Sequence, residues 1–583
     1  MNDVRWIPDQ PYREKTPFWT RANVGEVLPE PPSPAGWDLV FGNGGTVAGW
    51  RDCAVNRLGV EDHELDPDPT RCDFIGVFGG YGYLGATWIR VWAERTPGMS
   101  AADADAAYFG DHPDVPPYVP EPWHENPHTT QQMERWLGWV LGDMDQSELE
   151  ADRQLAHEIR QGRPDLASLS DGELLQRALE LRPVCRRMFD QHINQSGASA
   201  IGPGIIRAVC TAIGHPEYAM RLIEGLGGVD SAAPSYAMWD LSRTVRNSPV
   251  LTELFDGGGS GLNERLRASS ESDALSFCEA LDEFLREFGS RGPNEWDIMA
   301  ETWETKPDIA LAAIDRMRFA PNEDAPRTHT AEREAERERV REEVRAMLES
   351  DPGTLGQFDA AMRSAATFVP GRERSKTNII RVIQESRMAM RELGRRVVQR
   401  GDVDRAQDIC FLFEDELEAL VAGNLTNVRE TVEARKAHYE WLLSLEPPFI
   451  INGPPPPNTT WPKRSDHQSA AVTAGEQLQG APGCSGVARG TARVVHDPSD
   501  PTVLEPGDIL VAPMTDPAWT PLFVPAAGVV VDVGATMSHA IIVSRELGIP
   551  CVVSVTDASY RIPDGATIEV NGDTGVVTVV SVP

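Results

Sequence analysis

One histidine stands out for the chemistry its surroundings allow. His539 lies in the stretch GVVVDVGATMSHAIIVSRELGIPCVV, residues 528–553. An imidazole is nucleophilic only when neutral. The N-terminus of a helix disfavours the imidazolium and stabilises an anion added to the ring. The local spacing predicts such a position. Val529, Val530 and Val531 form a β-branched run expected to be a buried strand, Gly534 breaks it, and Thr536 and Ser538 are side chains that favour capping a helix. From His539 onward Ile541, Ile542 and Leu547 share a helical face, Gly548 and Pro550 stop the helix, and Cys551, Val552 and Val553 resume a strand. A strand–turn–helix–strand unit with one histidine at the helix start suits a phosphohistidine. A capping or packing histidine is the competing reading.

The wording of the stretch adds to its spacing. It resembles the phosphohistidine signature of the phosphoenolpyruvate (PEP)-utilising enzymes, Gly-Gly-x-x-Ser-His-x-Ala-Ile-x-Ala-Arg-Glu-x-Gly-Ile-Pro. Gly534, Ser538, His539, Ile542, Arg545, Glu546, Gly548, Ile549 and Pro550 match, while Ala535, Ile541 and Ser544 depart from it. The resemblance implies a small α/β swivelling domain with His539 as the phosphorylated residue and Thr536 and Ser538 supporting it. Thr515 to Phe523, TDPAWTPLF, is a near-verbatim segment of the same family and leads into a helix.

Bulk properties bound the remaining classes. A chain of 583 residues with 41% hydrophobic content has room for two or three globular domains. A net charge of −35 without a basic cluster argues against a nucleic-acid or acidic-membrane partner. The eight cysteines are scattered without a CxxC pair and read as reduced core thiols, and no signal core or long apolar run occurs. The expectation is a cytoplasmic protein.

The elements that must position His539 follow in chain order. Residues 1–125 are rich in Gly, Pro and aromatics and are expected to form the loop-rich N-terminal part of an acceptor-binding lobe. Within them WTRANVGEVLP, residues 19–29, and residues 74–99 resemble the rifampicin phosphotransferase family. Arg21, Asn23 and Glu26 either line a site or brace a loop. Residues 126–450 are mostly helical by periodicity, clearest over 171–193, 271–288 and 376–400. Residues 330–349 predict a solvated, charge-laced helix, and the glycine run 257–261 a flexible turn. The segment FGSRGPNEWDI, residues 288–298, sets a guanidinium and two carboxylates around a Gly-Pro turn and again resembles the family. Arg291 suits a phosphoryl group because its planar fork takes two oxygens, with Glu295 beside it. The alternative is a salt bridge of Arg291 to Glu295 or Asp297. Residues of the later helix, Arg372, Lys376, Arg387 and Arg395, are family-like as well. Residues 451–480, opened by four prolines, predict an extended linker, and residues 481–583 the carrier domain. The fold class expected is α+β and multidomain: a largely helical acceptor-binding lobe, then a small α/β phosphohistidine domain.

The resemblance also implies a division of labour. The chain starts where the ATP-grasp domain of the larger enzymes would end and resembles the histidine-bearing subunit of the phenylphosphate synthase family. ATP and Mg²⁺ would then bind a separate ATP-grasp partner subunit, with no metal or tightly held cofactor on this chain. The acceptor would be a small, phenolic hydroxyl compound bound around Arg291, Glu295, Arg21 and Asn23. A split rifampicin-type antibiotic phosphotransferase and a non-catalytic carrier or regulatory protein are the alternatives.

Overall fold

In the computed structural model the described residues are all except 1–3, 43, 69, 111, 468, 497–503, 517–518 and 535–537. They divide into two compact units. The first comprises Met1–Gly197, Trp296–Ala300 and Arg374–His467, the second Ala198–Glu295, Glu301–Glu373 and Gln468–Pro583. Five helices matter below: α1 (Asp171–Ala212), α2 (Ala233–Asn247), α3 (Ser272–Phe288), α4 (Pro326–Met347) and α5 (Pro352–Arg400). Two of the unit boundaries fall inside α1 and α5. The expected bounds at residues 125 and 450 both lie within the first unit. A helical period continues unbroken along α1 and α5, so nothing in it marks where the chain passes from one unit to the other.

In the first unit the N-terminal residues form an antiparallel sheet of β1 (Phe18–Thr20), β2 (Ile75–Phe78), β3 (Tyr81–Leu84) and β4 (Ile450–Asn452), ordered β2-β3-β1-β4. Gly79 and Gly80 make the β2–β3 turn at φ of 57° and 89°, a geometry that favours glycine. The core joins Leu174, Ala178, Leu181 and Met188 of α1 to Ile379, Ile383, Met390 and Leu393 of α5, over Phe74, Trp88 and Val91. Residues 1–125 are thus one body with the helices of this unit.

Much of the expected linker is structured. Ile450 pairs with Thr20 in the sheet, Trp461 is buried in a cluster with Trp19 and Tyr81, and Asn458 Nδ2 donates to Gly79 O at 3.2 Å. Past His467, Ser469 Oγ donates to Asp557 Oδ2 at 2.7 Å and Val472 N to Arg561 O at 3.0 Å. The polyproline run Pro454–Pro457 is anchored on both sides, because apolar Ile451 and Trp461 flank it and bury themselves.

The second unit contains the expected α/β domain. Its eight strands are β5 (Gln477–Gln479), β6 (Ala481–Cys484), β7 (Val487–Val494), β8 (Ile509–Ala512), β9 (Gly528–Val531), β10 (Cys551–Val553), β11 (Thr567–Asn571) and β12 (Val576–Ser581). The order is β5-β12-β11-β7-β8-β9-β10-β6. Strands β7 to β10 are parallel neighbours with antiparallel flanks. The central strands read as continuous apolar runs, as burial on both faces requires. Helices α6 (Thr520–Phe523) and α7 (His539–Leu547) cover one face, with Leu522, Phe523, Ile541, Ile542 and Leu547 in its core. The helical part of the unit packs α2, α3 and neighbouring helices around Met238, Phe277, Leu281 and Trp303. The glycine run 257–261 is an exposed turn between two short helices.

A buried charge cluster shows what stabilises the first unit. The carboxylate of Glu385 on α5 is fully buried and meets Arg163 at 2.7 Å, Arg177 at 3.3 Å and Arg160 at 3.4 Å. Removing one partner from a buried charge set is costly because the others stay desolvated and unpaired. Glu385→Ala is expected to destabilise the protein by about 3–5 kcal/mol, read as a lower chemical-denaturation midpoint. A change within about 0.5 kcal/mol would show that the cluster contributes little.

Candidate active site

His539 is the first residue of α7, as its spacing predicted, and is only 3% exposed. Its ring sits between two hydroxyls, with Thr515 Oγ1 3.3 Å from Nδ1 and Thr520 Oγ1 3.1 Å from Nε2. Phe523 meets the ring edge-on at 5.9 Å. Thr515 follows the end of β8 and Thr520 opens α6, so adjacent elements of the sheet fix both hydroxyls. Proline at Pro521 is pre-set for the first turn of α6. Both threonines lie in the segment TDPAWTPLF that was legible in the sequence. Their contact with His539 was not, because the residues are far apart along the chain.

Ser538 occupies the N-cap position with extended backbone, but its hydroxyl does not cap the helix. That expectation is corrected. Ser538 Oγ is buried without a hydrogen-bond partner among the described residues, and Ser538 O receives Ile542 N at 3.1 Å. Thr536, the other supporting residue expected, lies outside the described residues. Gly534 leaves little room for a side chain, since an added Cβ would lie 2.9 Å from Val553 Cβ and 3.2 Å from Ser538 Oγ. Gly548 ends the helix in the left-handed region at φ 68°.

The expected acceptor residues divide between the units. In the second, Arg291 and Glu295 form a buried ion pair at 2.8 Å, their side chains 2% and 1% exposed. The turn is braced by Trp303 N donating to Arg291 O at 2.8 Å and Glu304 N to Gly289 O at 2.9 Å. Asn294, in the left-handed region at φ 52°, directs its N–H to Asp516 Oδ2 at 3.4 Å. The Arg291–Glu295 turn therefore touches the residue next to Thr515, the threonine at the imidazole of His539.

In the first unit Arg21 is a brace. Its guanidinium donates to Gly82 O at 2.9 Å, Leu28 O at 3.0 Å and Pro29 O at 3.3 Å, and stacks over Tyr81 at 4.9 Å. Asn23 precedes a short helix at φ 64° and is half-buried. Asp297, also of the first unit, accepts from Ser33 N and Ser33 Oγ at 2.6 Å each, so the salt bridge in the Gly-Pro turn is Arg291–Glu295. Arg387 donates to Asp297 O at 2.9 Å, Lys376 is buried, and Arg395 pairs with Glu392 at the surface, whereas Arg372 pairs with Glu373 in the second unit.

A further acidic group borders the histidine loop. Asp532 follows β9 directly and accepts from Ser559 N at 2.7 Å and from the Ser559 hydroxyl. Burial pushes its carboxyl up to about 7, and the two Ser559 hydrogen bonds only partly oppose this.

Comparison with known proteins locates these elements. Residues 191–373 match the family described as the rifampicin phosphotransferase fourth domain. Residues 504–575 match the mobile domain of the PEP-utilising enzymes. Over 378 residues the chain is 30% identical to a rifampicin phosphotransferase of Streptomyces sviceus, covering 63% of this chain and 42% of that protein. It is 28% identical over 354 residues to an uncharacterised phosphotransferase, YvkC, of Bacillus subtilis, covering 59% and 41%. It is 31% identical over 369 residues to an uncharacterised protein of Mycobacterium tuberculosis, covering 62% and 38%. The chain spans about two fifths of the length of these curated relatives. No described helix is long and apolar enough to cross a membrane, and all eight cysteines are buried as free thiols.

The raised Asp532 pKa has a definite sign. Its folded value, about 7, lies above the ordinary 3.8, so the folded state holds an extra proton between them. The associated stability is fully present below the ordinary value and is lost as pH rises through the folded one. Between about pH 5 and about pH 8 the thermal midpoint is expected to fall more in the parent chain than in Asp532→Asn. Equal slopes in the two proteins would remove Asp532 as a contributor.

Proposed function

We infer that this chain, which carries the mobile domain of the PEP-utilising enzymes and resembles rifampicin phosphotransferase, is itself a phosphotransferase. In this reading His539 accepts a phosphoryl group and passes it to the hydroxyl of a small organic acceptor. The observation that carries the reading is the setting of His539. A buried imidazole opens a helix, each ring nitrogen faces a threonine hydroxyl, and the neighbouring serine hydroxyl has no partner among the described residues.

The chemistry follows from those positions. In the tautomer protonated on Nδ1, Thr515 Oγ1 accepts that proton's hydrogen bond and Nε2 keeps its lone pair. Nε2 is the nitrogen farther from the backbone, so it is assigned the attack on phosphorus. A P–N bond forms as the bond to the leaving oxygen breaks, and Thr520 yields its place at Nε2. Three N–H groups of the first turn and the Ser538 hydroxyl can then donate to the phosphoryl oxygens. In the second half-reaction the acceptor oxygen attacks phosphorus, the P–N bond breaks, and the acceptor proton passes to a base or water. Phosphoryl transfer asks chiefly for positioning and charge stabilisation.

The donor and acceptor are assigned as follows. ATP and Mg²⁺ are proposed to bind a separate ATP-grasp subunit, which phosphorylates His539 and releases AMP and phosphate. The acceptor is proposed to be phenolic, since a phenol of pKa about 10 needs only modest help to lose its proton. The fourth-domain match over residues 191–373 favours a second reading, in which the acceptor is an antibiotic hydroxyl. Screening both acceptor classes with the reconstituted pair, scored by AMP formation, decides between them. The compartment is proposed to be the cytoplasm.

Two outcomes test the mechanism. With an ATP-grasp partner and ATP, the chain is expected to acquire an acid-labile phosphoryl group that His539→Ala lacks, together with all product formation. Turnover by a folded His539→Ala protein would overturn the assignment. On the acceptor side, the contact of Asn294 with Asp516 supports a role for Arg291 in balancing charge on the group in transit. The paired variant Arg291→Ala, Glu295→Gln removes that charge without stranding a buried carboxylate. It is expected to load His539 normally but to discharge about two to three decades more slowly in a single turnover. Normal discharge would return Arg291 to a purely structural role.

A further inference from the structure

Away from the histidine loop, two buried carboxylates fasten the α/β domain to the helical part of the same unit. Glu224, 1% exposed, accepts from Ser485 N at 2.8 Å and Ser485 Oγ at 2.9 Å. Arg333 of α4 faces Glu224 at 3.4 Å and donates to Ser485 Oγ at 3.0 Å and Gly548 O at 3.2 Å. Glu546 of α7, 3% exposed, accepts from Gly227 N and from Tyr236 OH, each at 3.2 Å. Thr330 Oγ1 donates to Glu546 O at 2.8 Å and lies 3.0 Å from Tyr236 OH, while Gly225 N donates to Arg545 O at 3.2 Å. One carboxylate comes from each side: Glu224 from the helical part, Glu546 from the α/β domain.

The chemistry of this face differs from that of a core. On the helical side Val229 and Ala232 are buried against the domain with Tyr236 beside them, and Val524 of the domain packs against the helical cluster around Met238. Hydrogen bonds to desolvated carboxylates supply the rest, and such bonds come close to balancing the cost of desolvation. A face of this kind can open into water, where the carboxylates regain hydration, at much less cost than separating an apolar interface. Gly548 is fitted to it, since an added Cβ would lie 2.9 Å from Arg333 Nε.

We propose that Glu224 and Glu546 are the two points of a clasp that closes and opens as one event, setting whether α7 stays against the helical part. His539 and Glu546 stand at opposite ends of one nine-residue helix, so a rigid α7 carries any release at its C-terminal end to its N-terminal end. The consequence for phosphoryl transfer rests on the function proposed above. The clasp itself does not, and its test needs no phosphoryl donor.

The test is hydrogen exchange on the full chain with the conservative variant Tyr236→Phe, which touches only the Glu546 point. If the two points open together, the amides of Gly227 and Ser485 should accelerate by the same factor, about tenfold for one lost bond to a charged group. The sheet amides of Leu510 and Val530 should not change, which separates opening of the clasp from unfolding of the domain. Glu224→Gln, acting at the other point, should accelerate Gly227 in turn. Acceleration confined to Gly227 in the first variant and to Ser485 in the second would overturn the clasp, as would no acceleration at either. Acceleration of Leu510 and Val530 by the same factor would also overturn it, since the face would then open only with the domain core.

Discussion

A charge taken out of water needs a partner, and the interior of this protein is organised around that requirement. The chain carries 54 basic residues, of which five are lysines. Arginine forks a carboxylate and bonds carbonyls with the same group, so it satisfies more buried acceptors per charge. Glu385 holds three arginines, Arg95 grips Glu64 at 2.5 Å and the carbonyls of Trp123 and His124, and Arg291 holds Glu295. These pairs fix the segments between helices, where apolar packing alone would leave the backbone under-determined. A buried pair adds less stability than its geometry suggests, because desolvation offsets attraction. Its stronger effect is to make alternative packings expensive.

The same requirement explains which sequence readings held. The strand–turn–helix–strand unit was legible because its signals are local: β-branched residues for β9, Gly534 for the turn, Gly548 and Pro550 for the stop. The central strands β8, β9 and β10 are likewise short, fully buried apolar runs. Arg21 could not be read in this way. A conspicuous arginine in a polar loop looks the same whether it faces a ligand or three carbonyls. The structure turns it to the carbonyls of Gly82, Leu28 and Pro29.

Other features were hidden because they depend on distant pairing. Thr515 and Thr520 were in view as a family segment, but only the sheet brings them to His539. The proline run at 454–457 has the composition of a tether, yet Ile451 and Trp461 on either side draw it onto the first unit. Continuous periodicity along α1 and α5 likewise conceals the unit boundary. Periodicity reports that one face is buried, not which body buries it.

Two groups on either side of the loop after β9 make opposite electrostatic demands. At Asp532 burial dominates and favours the protonated, neutral form despite the two Ser559 donors. At the start of α7 first-turn N–H groups have no intrahelical acceptors, and the Ser538 hydroxyl has no partner among the described residues, so donors are available there. A neutral Asp532 adds no negative charge beside the loop, whereas an ionised one would oppose any anion placed on His539. In the proposed function the strand end that disfavours charge at Asp532 and the helix start that favours it at His539 therefore act together.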